Sequence, residues 1–234
     1  MFAMATQNHR RHCRIELAGS SARGTTATGN SNRTFTVPVD GQTGDLVVVC
    51  VHTRNAYGNL PTGGPEPWSE LDHWDNHNGT LDQDDDSNER IYVHTKYYGS
   101  DEPASWNVYH TDDGTNGMII HCTVWRGGVI PQMGDFLMEA ISSNPHDTPN
   151  ITSYSDSALM CYHGTALDTS GSGTVTVPTG FSQVRKNYQG TVDIGGCTGA
   201  MRVEEDAVTA DHQWTSGWGA WAFTSSFSID SAGK

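Results

Sequence analysis

One short apolar run occurs twice in this chain, and it limits the folds that the chain can adopt. Asp45–His52 reads DLVVVCVH, and Asp156–His163, 111 residues further on, reads DSALMCYH. Three of the eight positions are identical, and most of the others stay apolar. A continuous, valine-rich run of this length is typical of a strand buried on both faces. Each run therefore predicts a strand at the centre of a β-sheet.

The sequences around the two runs also correspond. A Thr-rich strand pattern precedes each run, TFTVPV in one case and NITSYS in the other. A polar segment and a Pro-aromatic-Ser element follow, as PEPWSEL at Pro65–Leu71 and PTGFSQV at Pro178–Val184. The pattern predicts two related halves, at about 34–130 and 149–229, in a single sandwich domain that spans 12–234. We expect that neither half closes alone and that together they form a two-sheet sandwich with one shared core.

Glycine is abundant (26 residues) and charged residues are few (17 %), as in all-β proteins with many short strands and turns. His12–Leu17 alternates and predicts a first strand, whereas the Gly-, Ser- and Thr-rich Ala18–Asn32 predicts a loop. Gln132–Ser142 spaces its apolar residues at helical intervals. It predicts either a short helix or the crossover between the halves.

The charge of the chain is acidic and uneven. The net charge is −14, yet residues 1–33 hold five arginines and one glutamate, 5 − 1 = +4, which leaves 8 − 26 = −18 for the rest. We therefore expect neither nucleic acid nor an anionic membrane as a partner.

Residues 1–11 precede the first predicted strand, and we interpret them as an N-terminal arm. Their methionines and phenylalanine can fill apolar pockets, and the arginines here and in the first strand can pair bidentately with carboxylates. We expect the arm to bind a neighbouring subunit; the alternative is that it packs on its own domain. The expected partner-binding residues are Met1, Phe2, Met4, Arg10, Arg11 and Arg14.

The chain has five cysteines and no C-x-x-C pair. Cys50 and Cys161 lie inside apolar runs, which predicts reduced, buried thiols. No signal-peptide pattern stands at the start of the sequence. These features favour folding in a reducing cytoplasm.

No motif predicts catalysis. The sequence contains no G-x-S-x-G and no phosphate-binding loop, so we expect a protein without enzymatic activity, cofactor or metal. The remaining metal candidate is a calcium loop formed by Asp82, Asp84, Asp86 and Glu89, although it lacks the central glycine of an EF-hand. A hydrolase with an unrecognised carboxylate pair stays open.

The order of the motifs resembles that of phage and prophage virion proteins built on a jelly-roll-like sandwich. The resembling elements are VPVDGQTGDLVVVCV, PEPWSEL, IYVHTKYYGSDEPASWNV, MIIHCTVWRGGV and VPTGFSQV. The resemblance implies a structural virion protein, such as a capsid decoration, a head or neck fibre or a tail component. Such a protein would be assembled in the host cytoplasm and act as a homo-oligomer among other virion proteins. A carbohydrate-binding receptor module of a tail is the first alternative, and a hydrolase is the second.

Overall fold

A computed structural model describes residues 15–28, 31–54, 57–62, 75–81, 89–111, 115–129, 136–141, 146–148, 151–153, 156–166, 175–189, 194–203, 207–208, 212–216 and 222–231. All regular secondary structure within these ranges is β-strand, which confirms the all-β prediction. The described residues contain no helix that could span a membrane.

The described residues of the first half form eight strands. Five of them form an antiparallel sheet in the order β1-β8-β3-β6-β5, and three form a second sheet in the order β2-β7-β4. Their bounds are β1 Glu16–Thr28, β2 Ser31–Thr36, β3 Leu46–Arg54, β4 Tyr57–Thr62, β5 Asp75–Leu81, β6 Glu89–Tyr97, β7 Ser105–Thr111 and β8 Thr115–Arg126.

In the second half, the part of the chain that the structure describes forms ten strands. A five-stranded sheet has the order β14-β15-β12-β18-β9, and smaller sheets have the orders β10-β17-β13 and β11-β16. Their bounds are β9 Phe136–Ile141, β10 His146–Asp147, β11 Thr152–Ser153, β12 Ser157–Ala166, β13 Val175–Thr176, β14 Ser182–Gln189, β15 Ile194–Val203, β16 Ala207–Val208, β17 Gln213–Ser216 and β18 Ala222–Ile229.

The two halves repeat one strand order. Read from its other edge, the second large sheet runs β9-β18-β12-β15-β14, which matches β1-β8-β3-β6-β5 strand for strand. The small sheet β10-β17-β13 likewise matches β2-β7-β4. The predicted central strands β3 and β12 do occupy equivalent positions. The second half also includes β9 and β10, so it begins before the predicted residue 149.

The two large sheets face each other, and the small sheets cover their outer faces. The core between the large sheets draws on both halves, as expected. Each half also has a core of its own, between its large sheet and its small one. The expectation of a single shared core in two sheets was therefore incomplete, because the described residues form three cores between four layers.

The side chains of β3 alternate between two of these cores. Leu46, Val48 and Cys50 face the shared core, while the valines between them face the core of the first half. On β12, Met160 faces the shared core and Cys161 faces the core of the second half. The offset of 111 thus aligns the strands but places Cys50 and Cys161 on opposite faces, because a one-residue shift in register turns every side chain over.

Two local predictions were wrong. The loop expected at Ala18–Asn32 is strand over 16–28 and again over 31–36. Small residues are needed there because a Cβ atom at Gly19 would lie 2.7 Å from Pro38 Cβ. The helix offered for Gln132–Ser142 is wrong for residues 136–141, which pair with β18 as an edge strand.

Gly196 lies on the face where the two large sheets meet. A Cβ atom there would overlap the hydroxyl oxygen of Tyr162 and lie 2.9 Å from Ile119 Cγ2. Tyr162 belongs to the neighbouring strand β12, whereas Ile119 belongs to β8 of the opposite sheet. The missing side chain therefore makes room for the tyrosine between the halves.

We expect Gly196→Ala to lower the free energy of unfolding by roughly 1–3 kcal/mol, because an overpacked core forces side chains out of their favoured rotamers. Tyr162→Phe removes the hydroxyl group that the new methyl group would meet, so the double variant should regain part of the loss. Urea denaturation of the two single variants and the double variant measures both effects. Simple additivity of the two losses would contradict this account of the packing.

Candidate functional site

Polar side chains form a cluster inside the shared core. His52 lies on β3, His121 on β8, Tyr162 on β12 and Thr198 on β15, and all four are fully buried. The Nδ1 atom of His121 lies 2.6 Å from Thr198 Oγ1, which joins the two halves. The Tyr162 ring lies edge-on to both histidines, with centroids 5.5 Å from His121 and 6.0 Å from His52. The cluster therefore contributes polar contacts to an otherwise apolar interface.

The environment of His121 keeps its ring neutral. Burial, together with the positive charge of Arg185 and the neighbouring His52, lowers the pKa of His121 to about 3. A general base works best when its pKa is near the working pH and its substrate is within reach. A fully buried ring with this pKa fits neither condition, so the cluster is suited to a structural role.

A second histidine pair lies in the outer core of the second half. His146 Nδ1 is 2.8 Å from His163 Nε2, and the rings stack with centroids 5.0 Å apart. Burial and the adjacent His146 hold the pKa of His163 well below its usual range. Trp214 lies against the same ring at 5.2 Å. Among the described residues, no group of three or more His, Cys, Asp or Glu side chains is placed to hold a metal ion.

A buried ion pair explains the K-x-x-x-x-D-E-P motif, which spans Lys96–Pro103 within the element IYVHTKYYGSDEPASWNV. Lys96 Nζ lies 2.7 Å from Glu102 Oε2, and both side chains are 1 % exposed. Glu102 also accepts hydrogen bonds from Gly99 N at 3.0 Å and from Trp106 Nε1 at 2.6 Å. Lys96 Nζ lies 4.4 Å from the centre of the Trp106 ring. The carboxylate thus ties the turn after β6 to β7.

The acidic residue just before each central strand lies close to an arginine of a neighbouring strand. Asp45 Oδ2 accepts a hydrogen bond from Gln42 N at 2.9 Å and lies 3.7 Å from Arg126 Nε. In the second half, Asp156 Oδ1 lies 3.4 Å from Arg202 Nη2. Asp45 lies in the G-D-L motif of the element VPVDGQTGDLVVVCV, and Arg126 lies in the W-R-G motif of the element MIIHCTVWRGGV. Both motifs therefore have a role within the fold.

The described cysteines are free and buried, as predicted for Cys50 and Cys161. Burial raises the pKa of Cys50 and of Cys197 to about 12, and it also raises the pKa of Cys122 and of Cys161. The thiolate is the reactive form of cysteine. These four thiols are therefore poor nucleophiles at neutral pH.

An apolar groove opens at one end of the seam between β1 and β14. Its volume is about 210 Å³, and its walls come from both halves. The apolar side chains that line it include those of Ile15, Leu17, Trp125, Val184, Ala200 and Met201. Leu17 is 37 % exposed, and among the described residues only Val39 is a more exposed large apolar side chain. The groove can therefore receive an apolar group from a partner.

The side chains of the site residues predicted from the sequence lie outside the described part of the structure. All six partner-binding residues of the arm fall within 1–14, which the structure does not describe. The calcium candidates Asp82, Asp84 and Asp86 also lie outside the described residues, and only the backbone of Glu89 is described, as the start of β6. Sequence reasoning had not identified the groove or the buried polar clusters.

Comparison with known proteins finds no matching family model, no matching curated protein and no matching solved structure. The resemblance to virion proteins therefore remains a prediction from the order of the motifs.

We expect Glu102→Ala to destabilise the protein by roughly 3–5 kcal/mol, because it leaves a buried ammonium group without its carboxylate. The double variant Lys96→Met with Glu102→Gln should lose less, since neither charge then remains to be paired. Asp101→Asn is the matched control, because Asp101 is the exposed acid of the same motif and should change stability by less than about 0.5 kcal/mol. Denaturant titrations compare the variants, and equal losses for Glu102→Ala and Asp101→Asn would refute a structural ion pair.

Acid should weaken the fold through His121. In the unfolded chain this ring takes up a proton as the pH falls below about 6.5, whereas in the folded protein it does so only near pH 3. Its stabilising contribution is complete above pH 6.5 and is lost as the pH falls towards 3, by up to roughly tenfold in the folding constant per pH unit. His121→Gln cannot titrate, so its unfolding free energy should fall less steeply between pH 6 and 4. Parallel pH profiles for the variant and the wild type would show that His121 does not contribute.

Proposed function

We propose that this protein is a structural virion subunit, a capsid decoration or a head or neck fibre component that acts through protein–protein contacts. The observation that carries the proposal is that the described side chains with reactive groups are buried and make contacts that stabilise the fold. The described cysteines are buried, His121 bonds across the shared core, and Lys96 and Glu102 pair with each other. The structure presents an apolar groove, which suits a binding surface better than a reaction site.

The strand order supports a jelly-roll-like unit in each half. In a jelly roll, eight strands form two sheets in the orders 1-8-3-6 and 2-7-4-5, an arrangement frequent in viral capsid proteins. The first half has the orders β1-β8-β3-β6 and β2-β7-β4, and the second half repeats them with its own strands. The difference is that β5 extends the large sheet beside β6. The strand order thus supports the jelly-roll-like part of the proposal.

The proposed partners are other copies of this chain and further capsid or tail subunits, with the particle assembled in the host cytoplasm. The buried thiols support folding in a reducing compartment. The acidic body of the chain supports contacts with basic segments of neighbouring proteins and disfavours nucleic acid. We accordingly propose no cofactor and no enzymatic activity.

The carbohydrate-binding alternative has less support. A sugar-stacking platform needs an exposed ring face, yet Trp106, Trp125 and Trp214 are at most 4 % exposed. The carboxylates of Asp45 and Glu102, which a hydrolase could have used, are engaged with Arg126 and Lys96. These observations concern the described residues, and they favour the structural role over both alternatives.

Mass spectrometry of virus particles purified from the source organism tests the proposal. We expect peptides of this chain at many copies per particle, because decorations and fibres repeat over the shell. A glycan array and a panel of polysaccharide, peptide and ester substrates test the alternatives, and we expect neither binding nor turnover. Absence from the particles together with turnover of any substrate would overturn the structural role.

A further inference from the structure

β-Bulges on both edge strands shape the apolar groove. β1 shifts register against β8 around Ala18, and β14 shifts against β15 around Val184. Val184 lines the groove, and Ala18 directly follows the lining residue Leu17. A bulge bends its strand and re-aims the side chains beside it. Because the bulges lie on the two strands that meet at the seam, the backbone itself opens the groove.

Beyond the bulges the same two strands are tied together. Arg185 Nη2 donates a hydrogen bond to the carbonyl oxygen of Ser20 across the seam. The side-chain amide of Asn187 is oriented so that its nitrogen donates to the carbonyl oxygen of Lys186. Its oxygen then accepts a hydrogen bond from Gly24 N at 2.9 Å. The seam is therefore closed in this part and open at the groove.

The groove has the size of one large apolar side chain. An engineered apolar cavity of about 150 Å³ binds benzene, and this groove has a volume of about 210 Å³. Trp125 and Met201 contribute polarizable surface to its walls. A phenylalanine or methionine side chain is therefore the expected occupant.

The N-terminal arm carries such side chains and joins the chain at the groove. The first described residue, Ile15, forms part of the wall, so residues 1–14 lead directly from it. Phe2 lies 14 − 2 = 12 residues before Arg14, which is about 40 Å of extended chain at roughly 3.3 Å per residue. The arm is therefore long enough to reach another molecule.

Charge also favours contact between the arm and the body of the protein. Residues 1–14 contain three arginines and no acid, so they carry +3. The other 220 residues contain 13 − 3 = 10 basic and 27 acidic side chains, so they carry −17. An arginine-bearing arm is therefore attracted to the body of any copy of this chain.

We propose that the groove of one copy binds the start of the arm, Met1, Phe2 and Met4, from a second copy; this rests on the structural role proposed above and identifies its contact surface. To fill its own groove, the arm would have to reverse direction after leaving the wall. Residues 1–14 contain no glycine, proline, aspartate or serine, so Asn8 is the one residue among them that favours such a turn. Folding back onto its own groove is therefore disfavoured for the arm, whereas binding to the groove of a second copy needs no such turn.

Two variants separate the arm from the groove. Deletion of residues 1–11 removes the ligand, and Ala200→Phe fills the groove with a side chain of the receiving copy itself. Val39→Lys is the matched control, because Val39 is 79 % exposed and does not line the groove. It lies at the same end of the molecule, since the carbonyl oxygen of the next residue, Asp40, accepts a hydrogen bond from Arg126 at the end of β8.

Sedimentation velocity over a range of concentrations measures self-association of each protein. We expect wild type and Val39→Lys to associate, and both the deletion and Ala200→Phe to associate at least about tenfold more weakly. High salt should weaken association of the wild type, because the arginines contribute through charge. Phe2→Ser should behave like the deletion and leaves the groove sequence intact, so it replaces Ala200→Phe if that variant fails to fold.

Fluorescence anisotropy with a labelled peptide of residues 1–11 measures binding to the deletion variant directly. We expect the peptide to bind the deletion variant and not the same variant carrying Ala200→Phe. Lack of binding overturns the groove as the acceptor. If the peptide binds but the wild type stays monomeric at all concentrations, the second copy is ruled out as the source of the arm, because the arm then occupies its own groove. Unchanged association of the deletion variant also rejects the groove, yet leaves the virion role standing, since particle composition tests that role separately.

Discussion

The burial of β3 and β12 on both faces determines most of the architecture. Residues 46–51 are fully buried although successive side chains point in opposite directions. Each half must therefore be covered on its outer face by its own small sheet and on its inner face by the other half. A separated half would expose the apolar inner face of its large sheet to water. Each half thus depends on the other for its stability, and the third core lies where they cover each other.

The polar groups in the shared core fix how the halves meet. An apolar interface alone tolerates sliding, whereas the hydrogen bond between His121 and Thr198 is made in one arrangement only. Gly196 adds a steric condition, because Tyr162 fits where this residue lacks a side chain. Such an interface is sensitive to acid. The buried histidine stays neutral in the folded state but takes up a proton in the unfolded state, so a falling pH favours unfolding. Specific alignment and acid sensitivity therefore have the same physical origin.

The sequence predicted the fold class and the central strands because a buried strand leaves a strong local signal, a continuous apolar run. It did not predict which face each side chain occupies. The identical Cys and His letters at an offset of 111 suggested equivalent positions, yet Cys50 and Cys161 face different cores. Edge strands left weaker signals, and β1 resembled a loop because its small side chains accommodate close neighbours such as Pro38.

The candidate site was harder to predict than the fold, because its parts are far apart in sequence. Lys96 and Glu102 are six residues apart, so their pairing across a turn was within reach of sequence reasoning. The contact between His121 and Thr198 joins strands of different halves, and only the packed structure brings them together. The groove depends on two bulges, at Ala18 and Val184. Gly19 adjoins the first bulge and is a weak signal for it, because a glycine inside a strand often marks a bulge, whereas Val184 and its neighbours Gln183 and Arg185 carry no such signal.

The edges of the large sheets indicate why association through a groove suits this fold. An exposed edge strand can pair with another chain, but the β1 edge is occupied. Ser21 and Arg23 donate side-chain hydrogen bonds to carbonyl oxygens of β2, and Arg185 binds the carbonyl oxygen of Ser20. Strand addition at β1 would have to break the bond to the carbonyl oxygen of Ser20, whereas a side chain entering the groove would not. The walls of the groove come from both halves, so the contact surface exists only while the shared core is intact. Conditions that separate the halves, acid among them, would remove the surface together with the core.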